Sequence, residues 1–193
     1  MKYWIRRWFL AGGVFSASLG FWAPAMLAAQ NTSSEHLDTG SAKMMRSPDL
    51  KFAAAAARIN VAQIELGQIA SEKGSNPEVK SFGALMATDY KPTAAKLQEI
   101  AARERITLPA SFMARDQSLK VKVENLKGDR FDRAYIKAMV KDQKQDVKLF
   151  QKEAGKGSDP QIKGFASECL PVLQSHLEKA KAAQAAVTGK SAK

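Results

Sequence analysis

An eleven-residue phrase occurs twice in this chain. KGSNPEVKSFG at 73–83 returns 83 residues later as KGSDPQIKGFA at 156–166, with six positions identical and the rest conservative exchanges. Each copy has the chemistry of a tight connection between two helices. Gly74 and Gly157 are candidates for the left-handed residue that ends a helix. Asn76 and Asp159 carry side-chain oxygens that cap the next one. Pro77 and Pro160 then fall at the first helical position, where a missing N–H does no harm. Turn chemistry alone does not require the shared Lys80/Lys163 and Phe82/Phe165, so the phrase reads as an internal duplication of a helical hairpin. It extends weakly upstream, where Leu66 aligns with Leu149 and Gln68 with Gln151.

The rest of the chain fits that reading. Apolar residues recur at three and four, without sustained alternation. The pattern predicts helices over Asp49–Lys73, Pro77–Arg105, Asp129–Ala154 and Pro160–Val187. A shorter helix is expected over Ser111–Leu126, closed by Gly128. The fold class is all-α: a four-helix bundle of two repeated hairpins. The segment from Ile106 to Gly128 is long for a simple antiparallel connection. It is expected to run along the bundle as a crossover, as in ferritin-like folds.

The ends differ from this body. Lys2, Arg6 and Arg7 precede an apolar run from Trp8 to Ala29. That is the layout of a secretory signal, cleaved near Ala29. A run of about 20 apolar residues also suits an uncleaved anchor. Residues 30–48 are polar and irregular and read as a flexible tether, in which His36 is incidental. Thr188–Lys193 reads as a frayed tail. Either form of export places the chain in the periplasm or at the outer membrane.

The sequence holds 30 basic and 19 acidic residues, a net charge of +11. Removal of the signal's three cations would leave about +8. Such a surface suits anionic envelope lipid or polysaccharide, and export argues against nucleic acid. Cys169 is the single cysteine, so packing and not a disulfide must hold the fold. Among apolar neighbours it reads as a buried, inert thiol.

Core lines traced at helical spacing are apolar except near mid-length. The lines run Phe52–Ile59–Gln63–Leu66, then Phe82–Met86–Asp89–Thr93–Leu97. They continue as Phe131–Tyr135–Ala138–Asp142–Asp146 (or Gln145)–Leu149 and Phe165–Cys169–Val172–His176–Ala180. Gln63, Asp89, Asp142 and His176 each interrupt one helix. If the hairpins enter from opposite ends of a bundle about 40–45 Å long, these four share a level. A buried carboxylate must be paired, hydrogen-bonded or bound to a cation. Asp89, Asp142 and His176 are therefore candidate ligands for a divalent metal ion, or members of a hydrogen-bonded polar cluster. The repeated Glu-x-x-His pairs of a di-metal bundle are missing. So are a Gly-rich phosphate loop, His-Glu-x-x-His, Gly-x-Ser-x-Gly and Cys-x-x-Cys. A non-catalytic protein without a cofactor is expected.

Five segments together carry a resemblance: QIELGQIA (63–70), NPEVKSFGALMATDY (76–90), LPASF (108–112), FDRAYIKAMVKDQ (131–143) and FASECLPVLQSHLEKA (165–180). Over about Pro48 to Val187 the chain resembles the bacterial exported family of domain of unknown function 4142, commonly labelled an outer membrane protein. The resemblance implies a ferritin-like bundle. The family's pattern has Glu where Gln63 stands, and Asp-His where Asp89-Tyr90 and Asp142-Gln143 stand. It has a Leu-Pro-x-Leu-x-x-His-Leu segment, kept here as Leu170–Leu177 with His176. The chain thus keeps both aspartates and the last histidine and lacks two histidines. The resemblance implies that Tyr90 and Gln143 bond the remaining aspartates and His176, turning a metal site into a neutral network.

Overall fold

In the computed structural model residues 47–189 are described. They form α1 (Ser47–Lys73), α2 (Pro77–Arg103), α3 (Ala114–Glu124), α4 (Gly128–Lys156) and α5 (Pro160–Thr188). No strand occurs among the described residues, and none of their helices is long and apolar enough to cross a membrane. The expected signal or anchor and most of the expected tether and tail lie outside them. Ser47 and Pro48, assigned to the tether, already belong to α1.

The repeated phrase forms two hairpin turns. Asn76 Oδ1 accepts from the Glu78 N–H at 2.8 Å. Asp159 Oδ1 accepts from Gln161 N–H at 2.9 Å and Ile162 N–H at 3.1 Å. Both prolines take the first helical positions. The glycines act differently from expectation, since neither has a positive φ. A Cβ on either would stand 2.7 Å from a backbone carbonyl of the preceding helix, Ala70 O at Gly74 and Glu153 O at Gly157. Both are therefore needed for close approach. Left-handed residues end helices elsewhere, at Arg105 with φ 53° after α2 and at Gly189 with φ 67° after α5. Ile106 N–H reaches back to Ala101 O at 2.8 Å and Arg105 N–H to Ala102 O at 3.3 Å, the paired bonds of a Schellman ending. α2 consequently stops at Arg103, short of the expected Arg105. Gly128 opens α4 and does not close α3.

α1 packs chiefly on α2 and α4 chiefly on α5. In the first hairpin the backbones touch: a Cβ on Gly67 would lie 2.7 Å from Gly83 O, and one on Gly83 2.7 Å from Gly67 O. The two hairpins then close on each other antiparallel. Asp49, at the start of α1, accepts the Ser158 N–H beyond the end of α4 at 3.0 Å. Asp132, at the start of α4, accepts Ser75 N–H at 3.0 Å and Asn76 N–H at 2.8 Å beyond the end of α1. The turns therefore lie at opposite ends of the bundle. Asp49 and Asp132 are themselves 83 residues apart, as are Ser75 and Ser158. The aromatic core follows the same rule. Phe52–Phe165 and its offset counterpart Tyr135–Phe82 have ring centroids 6.4 and 6.3 Å apart. The duplication is thus a pseudo-twofold of the fold, with α1 related to α4 and α2 to α5.

A chain leaving α2 at one end must return to the other end to begin α4, so the connection spans the bundle. Glu104, just past α2, accepts from Gln161 Nε2 at 2.6 Å beside the second turn. Halfway back, α3 lies over α1 and α4. Lys120 Nζ meets Glu65 Oε2 at 2.9 Å, Arg115 meets Gln145 Oε1 at 2.8 Å, and Val123 is fully buried. Lys73 Nζ donates to Glu124 O and, at 3.5 Å, to Val123 O at the end of α3, where free carbonyls favour a cation. This is the ferritin-like bundle with a crossover helix. No equivalent helix covers the α2–α5 side among the described residues.

The core lines of α1 and of most of α2 run as expected. In α4 Phe131, Tyr135, Asp142 and Asp146 are buried as expected, but so are Met139, Gln143 and Phe150, while Ala138 and Leu149 are only half-buried. In α5 Leu173 is buried while Val172 is 46 % exposed, and Cys169 is half-buried. The α4 departure is a widening of the inward stripe, and the α5 departure a rotation by one residue. The expected line followed one of two branches allowed by three-four spacing.

Candidate polar centre and the α2–α5 pocket

The mid-level polar residues form a band across the bundle, not one cluster. On the α2–α5 side, buried His176 places Nε2 3.0 Å from Asp89 Oδ2. Burial lowers the pKa of the imidazole, against the opposing pull of the Asp89 carboxylate. With its proton on Nε2, the neutral ring donates to the Asp89 side chain. His176 Nδ1 is buried without a partner. The Tyr90 ring lies 5.5 Å from the imidazole.

In the middle, fully buried Gln143 donates through Nε2 to Tyr90 Oη at 3.2 Å and to Met86 Sδ at 3.4 Å. Burial raises the Tyr90 hydroxyl well above its ordinary pKa, so it stays protonated. Tyr90 and Gln143 thus bond to each other, and not to Asp89, Asp142 and His176 as the resemblance implied.

On the α3 side, Asp146 is 2 % exposed. Burial, with Asp142 and Asp116 adding to it, pushes its pKa up to about 8; Arg115 and Gln63 pull the other way. It is a neutral acid at pH 7. Asp142, raised chiefly by burial, has Arg115 and Asp116 as neighbours. Arg115 Nε donates to Asp116 Oδ1 at 3.2 Å.

The structure therefore joins Asp89 to His176 and Tyr90 to Gln143, sets Gln63 beside Asp146, and turns Asp142 toward α3. The expected convergence of Asp89, Asp142 and His176 does not occur. Among the described residues no group of three or more His, Cys, Asp or Glu side chains is placed to hold a metal ion. The sequence pattern gave Asp146 only a place on the core line and left out Asn60, which is buried on α1 at 2 % exposure. The repeat carried a signal for both, since Asn60 and Gln143, and Gln63 and Asp146, are offset partners at 83 residues. Gln63 and Asp146 lie side by side because they are pseudo-twofold mates near the axis.

A pocket of about 200 Å³ opens between α2 and α5. Pro92, Phe150, Val172 and Leu173 give it apolar walls; Asp89 and His176 form one polar end and Lys96 with Glu168 the other. Lys96 and Glu168 are ion-paired. The Cys169 thiol also faces this space, and burial pushes its pKa up to about 11. It is a thiol and not a thiolate at neutral pH, hence a poor nucleophile.

These features define a ferritin-like helical bundle with a polar interior and a solvent-reachable pocket on its uncovered side. The chain belongs to the family described as domain of unknown function DUF4142, whose sequence profile matches residues 34–183. Two solved structures share the fold. One is a DUF305 fragment from Deinococcus radiodurans, at 8 % identity and a TM-score of 0.64, covering 72 % of this chain and 97 % of that one. The other is CopM in the Cu(II)-bound form, at 13 % identity and a TM-score of 0.60, covering 70 % and 95 % respectively. At such identities the likeness is one of fold. No curated protein sequence matches the chain.

Proposed function

We propose that this is an exported, non-catalytic helical-bundle protein of the cell envelope, structural or stress-related, that acts by binding. The observation that carries the reading is the uncovered α2–α5 side. It presents a pocket with polar ends but no activated nucleophile, because Cys169 stays protonated and His176 is neutral and engaged with Asp89. The basic N-terminal segment ahead of an apolar run supports export. The surplus of 11 positive charges supports anionic envelope lipid or polysaccharide as a partner of the surface. Fractionation tests this directly. The protein should be recovered with periplasmic or outer-membrane material, and should sediment with anionic but not zwitterionic vesicles at low salt. Recovery in the cytoplasm, with no vesicle preference, overturns the reading.

One observation favours a second reading as a metal-binding bundle. The Asp89–His176 pair is a carboxylate and an imidazole in contact at a pocket, the donor types that divalent copper and zinc accept, in a fold shared with a Cu(II)-bound protein. Elemental analysis of protein purified without chelator separates the two. The first reading expects no stoichiometric ion. An ion present at one per chain and lost in Asp89→Ala establishes the second.

A further inference from the structure

We propose that the α2–α5 pocket is a binding site for a small organic cation: an ammonium group carried on one apolar ring or a chain of similar bulk. This deepens the binding reading above and rests on it.

Size sets the first limit. A dry cavity of about 150 Å³ in another protein holds a benzene molecule, so about 200 Å³ accommodates one ring with a short substituent. The walls set the second. Pro92, Val172, Leu173 and the ring of Phe150 offer apolar contact, and Tyr90 adds an aromatic face at the polar end. A cation over such a face is attracted by the ring's quadrupole.

Charge sets the third. Of the lining groups, Lys96 and Glu168 neutralise each other in their ion pair at the mouth. His176 Nε2 stands 3.0 Å from Asp89 Oδ2 and so engages one oxygen of that carboxylate. Asp89, a third exposed, has its Oδ1 in no hydrogen bond among the described residues. The pocket thus offers a free carboxylate oxygen at the end of an apolar slot, and its complement is a cation with an apolar body. The net positive charge of the chain does not oppose this strongly, since charges more than about 8 Å away are screened at physiological salt.

The duplication does not repeat this arrangement. Val172 is the offset partner of Asp89 and Thr93 that of His176, so the carboxylate–imidazole pair occurs once. A second hollow between α2 and α5 is lined by Glu78, Phe82, Leu85 and Lys179, with no imidazole among its lining residues.

The test is a titration of the full chain with benzylamine, benzyl alcohol and benzoate, followed by amide chemical shifts. Benzylamine should saturate, with the largest shifts at Thr93, Lys96, Cys169 and Val172. Benzoate should not saturate. Asp89→Asn keeps an oxygen for His176 and should weaken benzylamine at least fivefold while leaving benzyl alcohol unchanged. Val172→Trp, at an exposed position that the fold does not need, should abolish all binding by filling the slot. Equal affinity for benzylamine and benzoate, an unchanged benzylamine affinity in Asp89→Asn, or no saturation at all overturns the proposal. If benzylamine fails while anionic vesicles still recruit the protein, the ligand class falls and the envelope-binding reading stands.

Discussion

The two hairpin turns are built from one phrase and braced in one way, yet differ in what lies beneath them. At the first, Asp132 is 1 % exposed and takes two backbone N–H groups, and the residue under the turn is Ala70. At the second, Asp49 is equally buried, takes one N–H, and faces Glu153, the offset partner of Ala70. Asp49 Oδ2 and Glu153 Oε1 are both buried without another partner. Burial, then the Asp49 carboxyl beside it, raise Glu153 to about 7. Lys152 pulls against them and Asp159 adds to them. Two carboxyls so placed share a proton more easily than they both ionise. The first turn is thus a simple brace, and the second is the same brace with a titratable strut. One substitution within a symmetric frame converts a passive connection into one that responds to pH.

The largest effect expected is at the first turn. Asp132→Ala orphans two N–H groups bonded to a charged acceptor and should cost about 3 kcal/mol in urea denaturation at pH 8. Asp49→Ala should cost about 1 kcal/mol, since it loses one such bond and at the same time frees Glu153 from a like charge. Equal losses would mean that the turns are braced alike.

Next comes pH. The folded pKa of Glu153 lies above its unfolded value of about 4.3. Its contribution to stability is complete below that value and is lost as pH rises through about 7. Asp146 acts in the same direction around pH 8, while His176, lowered by burial, loses its contribution as pH falls below its unfolded value. The difference between Glu153→Gln and the parent isolates the strut. It should grow in favour of the variant by about 2 kcal/mol between pH 5 and pH 8.5. A difference independent of pH removes the shared proton from the account.

The smallest effects are at the caps. Asp159 serves two N–H groups and Asn76 one, so Asp159→Ala should cost about 1 kcal/mol and Asn76→Ala about half that, read as shifts in thermal midpoint.

Much of this frame was legible in the residues. The phrase at 73–83 and 156–166 located both turns and both caps, because capping chemistry is local, and the length of the 106–128 segment pointed to hairpins entering from opposite ends. Less legible was which of two adjacent residues faces inward. α4 is covered by α1, α5 and α3, so its buried stripe is wide enough to include both Asp142 and Gln143, and a single line cannot choose between them. α5 is rotated by one residue, from Val172 to Leu173. The polar level was found, but its division into a His176–Asp89 pair, a Tyr90–Gln143 pair and an Asp146–Gln63 contact depends on that choice. The glycines misled because a glycine required by a nearby carbonyl looks the same in sequence as one required by φ. The braces Asp49 and Asp132 were readable and overlooked, their spacing repeating that of the turns they hold.

Neither hairpin finishes its own bend. Each borrows the carboxylate that secures it from the opposite half, from the start of the helix that begins beside it. A half-length chain would meet this need by pairing about a twofold axis with a copy of itself. Joined through the α3 segment, the two halves meet independently of concentration and need not stay alike, and one side of the groove carries Asp89 where the other has Val172.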